Sequence, residues 1–506
     1  ALSAQLLAQW PVRAAGPQVL RFPEDGLTLR VHVGEAEAVL AGWVGQFDAW
    51  FLDGFSPARN PAMWSTALMA RLAALSAPGA RAATFTVAGD VRRALQGAGF
   101  EVEKKPGFAG KRERLEARFL GPPASSPALG PYPYAAAHPK RAAIIGAGIA
   151  GAACAAALAR QGVEAVVLEA APALGAGASG NPAGLVAPRL DRAGPLAELF
   201  LAAYLHAIAA YEVLGVLEAC GVEQRAEPRR AEALADLIAD PPLPPGWFAP
   251  LGENAVLHPR AGLVRPQAAI KAMLADAQLL LEAPVQRMER AGEGWVLYAP
   301  DGRAMLKADA VVLACGAALA QFEPAGFLPL QISHGQIEWG QGAAPARAIM
   351  QSAYAAPLDG GLLFGATFDK TPPDPAEARA RNIAALAALA PETAAALDPA
   401  LLHSRLSQRV TTPDRAPIAG LLPDAEAWMQ HHAALAHGRA VKLDGAPPAH
   451  AGVYVLGGLG ARGLTLAPLL GERIAAEICG LPQALSRFAL EAIHPARFLH
   501  RALKRR

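Results

Sequence analysis

The feature that most constrains this chain of 506 residues is a glycine-patterned unit at residues 141–170. A short apolar strand runs into Gly146, Gly148 and Gly151, an alanine-rich helix follows, and a second strand ends at Glu169. In such units the first glycine permits a tight turn, the second lets the backbone approach a pyrophosphate, and the third lets helix and strand pack closely. The order of these parts predicts a Rossmann dinucleotide site with Glu169 on a ribose hydroxyl, rather than an unliganded glycine-rich turn.

A second glycine-rich turn lies near the end of the chain. It follows a strand-like run, contains Gly458, Gly460, Arg462 and Gly463, and leads into a helix that begins near Leu464. The N-terminus of that helix would place a positive dipole end beside a flavin ring and stabilise its anionic reduced form. Two turns of this kind in one chain favour FAD over a nicotinamide cofactor.

Two other segments are candidates for contact with the same cofactor. Residues 177–188 could donate backbone amides beside a flat ring around Ser179, Gly180 and Asn181, although an ordinary surface loop explains the composition equally well. Gly316 ends a buried strand and would let the chain turn beneath a phosphate or ribose, or would simply stop a core strand.

Residues 121–139 are rich in Pro, Ser, Gly and Ala and are predicted to be a linker between a segment at 1–120 and a block at 140–506. In the first segment, strands alternate with helices, which predicts a parallel sheet whose edge is closed by an antiparallel hairpin. The strands are expected at 27–33, 47–55, 82–87, 100–106 and 111–119, and the helices at 64–75 and 90–96.

The second block is predicted to be a Rossmann domain interrupted by an α+β substrate domain, so the fold class is α/β. Strand-like runs at 294–300, 309–317 and 452–460 are expected to return to the nucleotide-binding sheet. We assign about 140–200, 280–320 and 450–480 to FAD binding, and about 200–280 and 320–450 to the substrate domain.

Charge and cysteine content narrow the possible partners and compartments. The net charge is only +2, so RNA contact would have to depend on local patches such as Lys104–Arg114 and 501–506, which solvated surface residues also explain. Four scattered cysteines without a Cys/His cluster fit a reduced cytoplasm and give no support for a metal site. We expect no secretion leader and no membrane span, since turn glycines interrupt the uncharged run at 142–159.

Two single residues are candidates for substrate chemistry. Arg409 follows a strand-like start before a Pro- and Asp-containing turn, and its guanidinium could bind a substrate carboxylate in a bidentate manner. Asp53 ends an apolar strand, where a carboxylate could orient an amine or take its proton. A surface ion pair for Arg409 and a turn-forming Asp-Gly pair at Asp53 are the simpler explanations.

Segments from both halves of the chain together resemble the bifunctional tRNA 5-methylaminomethyl-2-thiouridine biosynthesis family, MnmC. The resemblance covers almost the whole chain and rests on FDAWFLDGFSPARNPAMW, ATFTVAGDVRRALQGAGF, KKPGFAGKRERL, IIGAGIAGA, GASGNPAG, SHGQI, the Arg409 segment and YVLGGLGARGLTLAPLL. It implies an S-adenosylmethionine-dependent methyltransferase followed by a flavin oxidoreductase similar to glycine oxidase.

By this resemblance, the second block would oxidise the carboxymethylaminomethyl side chain of a wobble uridine in tRNA to an aminomethyl group, with Arg409 on the carboxylate. The first segment would then methylate the amine, with Asp53 serving that nitrogen. Residues 1–45 contain no glycine-rich strand–turn–helix and the chain begins with Ala, which suggests a fragment, a processed chain or a truncated gene model. We therefore expect S-adenosylmethionine to bind poorly or not at all.

Two other functions remain open at this stage. One is an FAD-dependent oxidase of a free small amino acid such as glycine or sarcosine, and the other is a tRNA-binding scaffold that keeps flavin only as a structural group. We expect a monomer that uses no metal.

Overall fold

The N-terminal segment consists of two separate sheets in the computed structural model, which describes residues 2–107, 110–122, 129–437 and 446–505. Its elements are α1 (Leu2–Ala8), β1 (Gly16–Phe22), β2 (Leu27–Val33), α2 (Ala36–Gly42), β3 (Phe47–Leu52), α3 (Thr66–Leu75), β4 (Ser76–Thr84), α4 (Gly89–Gly97), β5 (Phe100–Pro106) and β6 (Glu113–Phe119). The four-stranded sheet has the order β3-β4-β6-β5. β3 and β4 are parallel, and the antiparallel β5–β6 hairpin closes the edge as predicted.

The prediction that strand 27–33 belongs to the parallel sheet is wrong. β2 pairs with β1 as an isolated antiparallel hairpin, through a tight turn in which Gly26 has a φ of 61°. The alternation of side chains along a sequence identifies a strand but not its partner, and β1 lay in a stretch without a clear pattern. A local hairpin also needs no long crossover connection, unlike a parallel pair.

The second block opens with the predicted strand–helix–strand unit and continues through short strands and helices. Its elements to residue 313 are β7 (Arg141–Ile145), α5 (Ile149–Ala159), β8 (Glu164–Leu168), β9 (Gly184–Val186), α6 (Pro195–Val213), β10 (Leu217–Glu218), β11 (Val222–Arg225), α7 (Ala231–Ala239), β12 (Ala249–Pro250), β13 (Ala255–His258), β14 (Gly262–Val264), α8 (Pro266–Met273), β15 (Gln278–Leu280), β16 (Arg287–Ala291), β17 (Gly294–Tyr298), β18 (Ala304–Ala308) and β19 (Ala310–Leu313).

The remaining elements complete both domains of this block. They are β20 (Gln331–Gln341), β21 (Ala348–Met350), β22 (Tyr354–Leu358), β23 (Gly361–Gly365), α9 (Pro375–Leu389), α10 (Pro391–Ala395), β24 (Leu402–Thr411), β25 (Ile418–Pro423), α11 (Ala425–His431), β26 (Ala449–Gly457), α12 (Gly463–Ile478), α13 (Arg487–Ile493) and α14 (Arg497–Leu503).

The nucleotide-binding sheet has the order β15-β8-β7-β19-β26-β25. Its first five strands are parallel, and β25 adds an antiparallel edge. The substrate sheet has the order β12-β13-β11-β21-β22-β23-β20-β24 and is mostly antiparallel. The predicted α/β fold, a Rossmann domain with an inserted α+β substrate domain, is confirmed.

One strand assignment within this block is wrong. The run at 294–300 forms β17, which pairs with β16 and β18 in a separate three-stranded antiparallel sheet and not with the nucleotide-binding strands. Short loops connect β16, β17 and β18, so each strand finds its partner locally. The apolar pattern predicted the strand correctly but carried no information about the sheet it joins.

Helices α5 and α12 pack against each other at unusually close range. A Cβ atom placed on Gly471 would lie 2.6 Å from the carbonyl oxygen of Ala153 and 2.9 Å from its Cβ. Both helices are almost entirely buried, and α5 carries alanine at most positions. Small residues on both helices therefore set the distance between two elements whose N-termini lie at the predicted cofactor site.

Helix α6 is long and apolar enough, by length and composition alone, to cross a membrane. In this structure 61% of its apolar window is buried, and it packs against α12 and β1. Leu199, Tyr204, Ile208 and Tyr211 are inaccessible to solvent. Buried core helices of soluble proteins pass the same test, so α6 gives only weak support for a membrane span.

The second half of the predicted linker is bonded to the second block, whereas residues 123–128 lie outside the described residues. The buried Trp428 donates its indole N–H to Pro131 O at 2.7 Å, and Tyr454 donates its hydroxyl to Ala135 O at 2.7 Å. His494 bonds to Pro133 O at 2.8 Å. Since buried carbonyl groups need partners, these contacts fix the approach to β7.

A partly buried ion pair joins the N-terminal hairpin to the second block. Glu472 on α12 pairs with Arg21 of β1 at 2.5 Å and also with Arg160. Burial alone would raise the pKa of Glu472, but Arg21, Arg160 and His206 outweigh it and hold that pKa below its usual value. The carboxylate therefore stays charged between two cations, which ties β1 to the helix that forms part of the cofactor site.

We predict that Gly471→Ala destabilises the protein by about 1–3 kcal/mol, because the added methyl group overlaps the backbone of Ala153. Gly97→Ala is the matched control, since a methyl group there meets nothing within 4 Å at the end of another helix. That substitution should be neutral or stabilise by up to about 1 kcal/mol. Urea denaturation followed by circular dichroism measures both changes, and equal stability of the two variants would contradict the close-packing argument.

Candidate active site

Three glycine-containing turns meet at one edge of the nucleotide-binding sheet. Gly146 follows β7, Gly316 follows β19, and Gly458 follows β26. Because these strands are parallel and adjacent, in the order β7-β19-β26, their carboxyl ends lie side by side. This is the edge at which open α/β sheets bind their ligands.

The first turn has the backbone that its glycines permit. Gly146 has a φ of 107°, and a Cβ atom on it would lie 2.8 Å from Ala314 O on the neighbouring strand's turn. A Cβ atom on Gly151 would lie 1.9 Å from Gly146 O, so any side chain there would separate α5 from β7. Gly148 precedes α5 and meets only the Ser179 hydroxyl, at 3.4 Å.

The N-termini of α5 and α12 lie against each other at this edge. A Cβ atom on Gly463, the first residue of α12, would lie 3.4 Å from the side chain of Ile149, the first residue of α5. The Ser179 hydroxyl accepts a hydrogen bond from Ile149 N–H at 3.1 Å. The positive ends of two helix dipoles therefore point to one region, which suits a pyrophosphate and an anionic ring.

Glu169 braces the first glycine turn from the end of β8. One carboxylate oxygen accepts a hydrogen bond from Ala147 N–H at 2.8 Å, and the other accepts from Ala171 N–H at 3.0 Å. Each oxygen keeps further lone pairs for another donor. The carboxylate thus lies directly beside the Gly146–Gly148 turn, where a ribose hydroxyl is predicted to bind.

The segment around Ser179 is held by a strand of the substrate domain. Arg405 on β24 donates to Ala176 O and Gly177 O, each at 2.9 Å, and its guanidinium fills the space beside Gly180. The side-chain oxygen of Asn181 is buried and has no hydrogen-bond partner among the described residues. An unsatisfied buried acceptor next to the glycine turns indicates a missing donor at this position.

The second glycine turn, like the first, has a backbone conformation that requires glycine. Gly458 and Gly460 have φ values of 65° and 57°, and Gly316 has 58°, a region that side-chain-bearing residues rarely adopt. Gly460 lies against the methyl group of Thr411. Leu464 holds the turn in place in two ways. Its carbonyl accepts a hydrogen bond from the Tyr211 hydroxyl at 2.7 Å, and its side chain packs on Gly184.

Arg462 immediately precedes α12 and is half-buried. Its guanidinium forms no hydrogen bond or ion pair with the part of the chain that the structure describes. Burial, Arg189 and Arg230 together lower the pKa of Arg462 to about 10, and Asp191 partly opposes them. Arg462 therefore lies near two other cations, Arg189 and Arg230, with Asp191 as the opposing charge.

These residues fit FAD. The φ values of the glycine turns, the paired helix N-termini, Glu169 and the unpartnered Asn181 oxygen supply a close backbone approach, anion-binding amides, a ribose acceptor and a further polar contact. The cofactor would lie across the carboxyl ends of β7, β19 and β26.

Strand β24 crosses from the substrate domain over this region. Arg405, Arg409 and Thr411 lie on the same face of the strand because alternate residues share a face. Arg405 contacts the 176–177 backbone and Thr411 contacts Gly460. Arg409 lies between them on the strand, so its side chain is on the face that is turned towards the cofactor segments.

Arg409 is buried, with 8% of its surface exposed, and forms no ion pair with a carboxylate among the described residues. Its guanidinium donates to Thr367 O at 3.0 Å and lies 4.3 Å from the centre of the Phe368 ring. Burial lowers its pKa, but an arginine stays protonated at neutral pH. A buried cation with unused donors is suited to an anionic substrate group.

Sequence reasoning missed two neighbours of Arg409. A Cβ atom on Gly335 of β20 would lie 2.1 Å from an Arg409 guanidinium nitrogen, so this glycine makes room for the arginine. Tyr354 on β22 lies near enough to interact with Arg409, and burial raises the pKa of its hydroxyl to about 12 despite the opposing arginine. Gly335 is the glycine of the SHGQI motif, but its role is visible only from the register in which β20 pairs with β24.

The turn after β24 is anchored by a buried arginine. Arg497 of α14 donates to both carboxylate oxygens of Asp414, at 2.9 and 3.1 Å. Asp414 also accepts the Thr412 hydroxyl at 2.7 Å. Burial would raise the pKa of Asp414, but Arg497 and Arg501 hold it far below its usual value. This network fixes the end of the strand that carries Arg409.

Asp53 lies apart from these residues, after β3 in the four-stranded sheet. Its carboxylate is exposed and accepts a hydrogen bond from Gly54 N–H at 2.9 Å. Phe51 and Phe55 beside it are 87% and 69% exposed. The turn places the carboxylate at the predicted end of a parallel strand, and its role in catalysis stays a prediction.

The basic strip of the N-terminal segment is largely neutralised, although Phe108 and Ala109 of its loop lie outside the described residues. Three of its five cations form ion pairs with neighbouring carboxylates: Lys104 with Glu113, Lys105 with Glu103, and Arg114 with Glu116. Lys111 lies over the Phe85 ring at 3.8 Å. The strip therefore presents much less free positive charge than its sequence suggests.

Metal and disulfide chemistry have no visible basis in the part of the chain that is described. No group of three or more His, Cys, Asp or Glu side chains there is arranged to hold a metal ion. The four cysteines are free.

Comparison with known families identifies both halves of the chain. Residues 1–119 match the family described as S-adenosyl-L-methionine-dependent methyltransferase, and residues 141–477 match the FAD dependent oxidoreductase family. The second match confirms FAD as the cofactor type predicted from the glycine turns.

Two solved structures of similar fold are named as oxidases. Glycine oxidase from Geobacillus kaustophilus is 22% identical, with a TM-score of 0.52 over 67% of this chain and 95% of that one. Iminodiacetate oxidase from Chelativorans sp. BNC1 is 24% identical, with a TM-score of 0.54 over 70% and 99%. At these identities the likeness supports the fold alone.

Curated relatives match nearly the whole chain. The tRNA 5-methylaminomethyl-2-thiouridine biosynthesis bifunctional protein MnmC of Caulobacter sp. (strain K31) is 40% identical over 98% of this chain and 79% of its own length. The MnmC protein of Pseudomonas paraeruginosa (strain DSM 24068 / PA7) is 37% identical over 99% and 82%. The chain therefore belongs to the MnmC family of bifunctional tRNA 5-methylaminomethyl-2-thiouridine biosynthesis proteins.

Proposed function

We propose that this chain modifies the wobble uridine of tRNA by FAD-dependent removal of the carboxymethyl group from 5-carboxymethylaminomethyl-2-thiouridine. The product is 5-aminomethyl-2-thiouridine. The observation that carries this proposal is Arg409, a buried cation without a carboxylate partner among the described residues, on the strand that crosses between the two cofactor-binding segments.

The substrate explains the position of this charge. The group to be removed ends in a carboxylate two bonds from the amine nitrogen, so binding the carboxylate fixes the carbon that must be oxidised. Arg409 can donate two hydrogen bonds to the carboxylate, because Thr367 O and the Phe368 ring hold its guanidinium in one orientation. Tyr354 could donate its neutral hydroxyl to the same carboxylate, since its raised pKa keeps it protonated.

FAD, when bound, would accept a hydride from the carbon between the amine and the carboxylate. The resulting C=N bond is then hydrolysed, which releases glyoxylate and leaves the primary amine on the RNA. The protein's contribution is orientation by Arg409 and stabilisation of negative charge by the N-terminus of α12. No acid or base side chain is needed for the oxidation when the amine arrives neutral.

We propose that residues 1–119 serve the following step, methylation of the primary amine with S-adenosylmethionine as the donor. Asp53 would orient the amine or take its proton. We further propose that the protein acts in the cytoplasm as a monomer, where its four free cysteines would remain reduced.

We predict that tRNA carrying the carboxymethylaminomethyl group bleaches the flavin of the holoenzyme in the absence of oxygen. Millimolar glycine or sarcosine should leave the flavin oxidised, because neither carries the nucleotide that a tRNA site would recognise. Anaerobic absorbance spectroscopy measures this difference. Reduction by glycine and not by tRNA would instead identify a free amino acid oxidase, and no reduction by any amine would point to a structural flavin.

We predict that Arg409→Ala retains FAD but loses about 10- to 150-fold in kcat/KM for modified tRNA. This is the loss of about 1.5–3 kcal/mol expected for a charge-assisted hydrogen bond. Gln408→Ala is the control, because Gln408 is exposed on the opposite face of the same strand. Steady-state turnover and flavin absorbance of both variants test this, and unchanged activity of Arg409→Ala would remove Arg409 from the site.

We predict that Gly335→Ala lowers kcat/KM in the same direction as Arg409→Ala while FAD content is kept. The added methyl group would overlap the Arg409 guanidinium, which must then leave its position between Thr367 O and the Phe368 ring. Gly246→Ala is the matched control in the substrate domain, where a methyl group meets nothing within 4 Å. Wild-type kcat/KM in Gly335→Ala would show that the position of Arg409 is unimportant.

A further inference from the structure

A group of arginines lies beside the second glycine turn, where three segments of the chain meet. The loop 187–194 follows β9, whose first residue, Gly184, packs against Leu464 at the start of α12. Arg192 of this loop donates to Asp236 O of α7 at 2.5 Å. The loop therefore lies between the start of α12 and α7. Arginines from the loop, from the start of α7 and from the turn before α12 come near one another here.

Three of these cations form what we call the arginine trio, Arg189, Arg230 and Arg462. Arg189 lies over the Phe200 ring at 4.3 Å and pairs with Asp191 at 2.9 Å. Arg230 is exposed at the start of α7, and within the described residues neither Arg230 nor Arg462 has a carboxylate at ion-pair distance. One carboxylate thus faces three guanidinium groups.

Like charges gathered in one place destabilise the protein unless an anion joins them. Burial, Arg189 and Arg230 together lower the pKa of Arg462 to about 10, and Asp191 partly opposes them. Asp191 and the Phe200 ring stabilise Arg189, whereas Arg230 and Arg462 have no such partner within the described chain. Arginine clusters of this type are typical of sites for phosphate, which accepts several N–H donors at once.

Arg462 belongs to the second glycine turn, and the strand that carries Arg409 contacts the same turn through Thr411 and Gly460. Arg230 is exposed to solvent, and Arg189 and Arg462 are partly exposed. We infer that the arginine trio binds backbone phosphates that flank the modified nucleotide, and so positions that nucleotide over the active site. This inference rests on the proposed function, since an RNA substrate would bring phosphates to this edge in addition to the pyrophosphate of the cofactor.

A free amino acid would leave the trio without a ligand. Such a substrate has one carboxylate, which Arg409 would bind, and no second anion. Phosphate contacts give affinity that falls as salt rises, with a log–log slope of about 0.7–0.9 for each phosphate neutralised. They position the nucleic acid without selecting its sequence. The trio should therefore affect tRNA affinity and its salt dependence, but not the chemistry at the modified base.

The test uses the holoenzyme with Arg189→Gln and Arg230→Gln combined, which leaves Arg462 in place beside the cofactor. The two substrates are modified tRNA and the free modified nucleoside, which carries no phosphate. We expect KM for tRNA to rise about 10-fold or more and the log–log salt slope to fall by about 1.4–1.8, for two lost contacts. Saturating kcat for tRNA, and kcat/KM for the nucleoside, should remain at wild-type values.

Arg303→Gln is the matched control, because Arg303 is an exposed arginine in the turn between β17 and β18 of the separate three-stranded sheet. It should change neither KM nor the salt slope. Unchanged tRNA KM in the double variant would overturn the inference, and so would an equal loss of kcat/KM for tRNA and nucleoside.

Direct binding of an anticodon stem–loop RNA, measured by fluorescence anisotropy, separates this inference from the proposed function. Should wild-type protein bind the RNA without any flavin reduction, the proposed function fails while the trio is still tested by the Kd of the double variant. A Kd equal to that of wild type would overturn the phosphate site even in an active enzyme.

Discussion

The close packing of α5 against α12 is the constraint on which the cofactor site depends. Gly471 and Ala153 allow the two helices to approach at their middle, and Gly463 meets Ile149 at their first residues. Bulkier residues at these positions would push the helix N-termini apart. Each N-terminus carries only about half a positive charge. Their convergence makes the region strongly favourable for a pyrophosphate and a reduced flavin, which explains the small residues where the two helices meet.

A second constraint relates the substrate domain to this region. β24 contacts the Ala176–Gly177 backbone through Arg405 and the second glycine turn through Thr411. Its far end is fixed by the bonds of Asp414 to Arg497. A strand held at these points cannot shift without breaking charge-assisted hydrogen bonds. The position of Arg409 relative to the cofactor segments is therefore fixed. A fixed position is required if one carbon of the substrate is to be selected for oxidation.

The sequence allowed the fold, the family and FAD to be predicted because each depends on local patterns. Glycine spacing determines turn geometry, and apolar runs determine strands. The pairing of β2 with β1, and of β17 with β16 and β18, depends on competition between distant segments, so it could not be read locally. The roles suggested for Gly335, Tyr354 and Arg405 arise only from cross-strand neighbours. Those residues look unremarkable until the register of the substrate sheet is known.

The positive charge counted along the sequence also differs from the positive charge that stays unpaired in the folded protein. By sequence, the strip from Lys104 to Arg114 is the most basic stretch of the N-terminal segment, yet three of its cations are paired with carboxylates from the same hairpin. Arg189, Arg230 and Arg462 are scattered over nearly 300 positions of the sequence. Folding brings them together with a single carboxylate among them. Since RNA competes with existing ion pairs for each cation, uncompensated charge rather than total charge determines where phosphates bind. RNA is therefore expected to bind at the flavin edge of the molecule rather than at the basic hairpin.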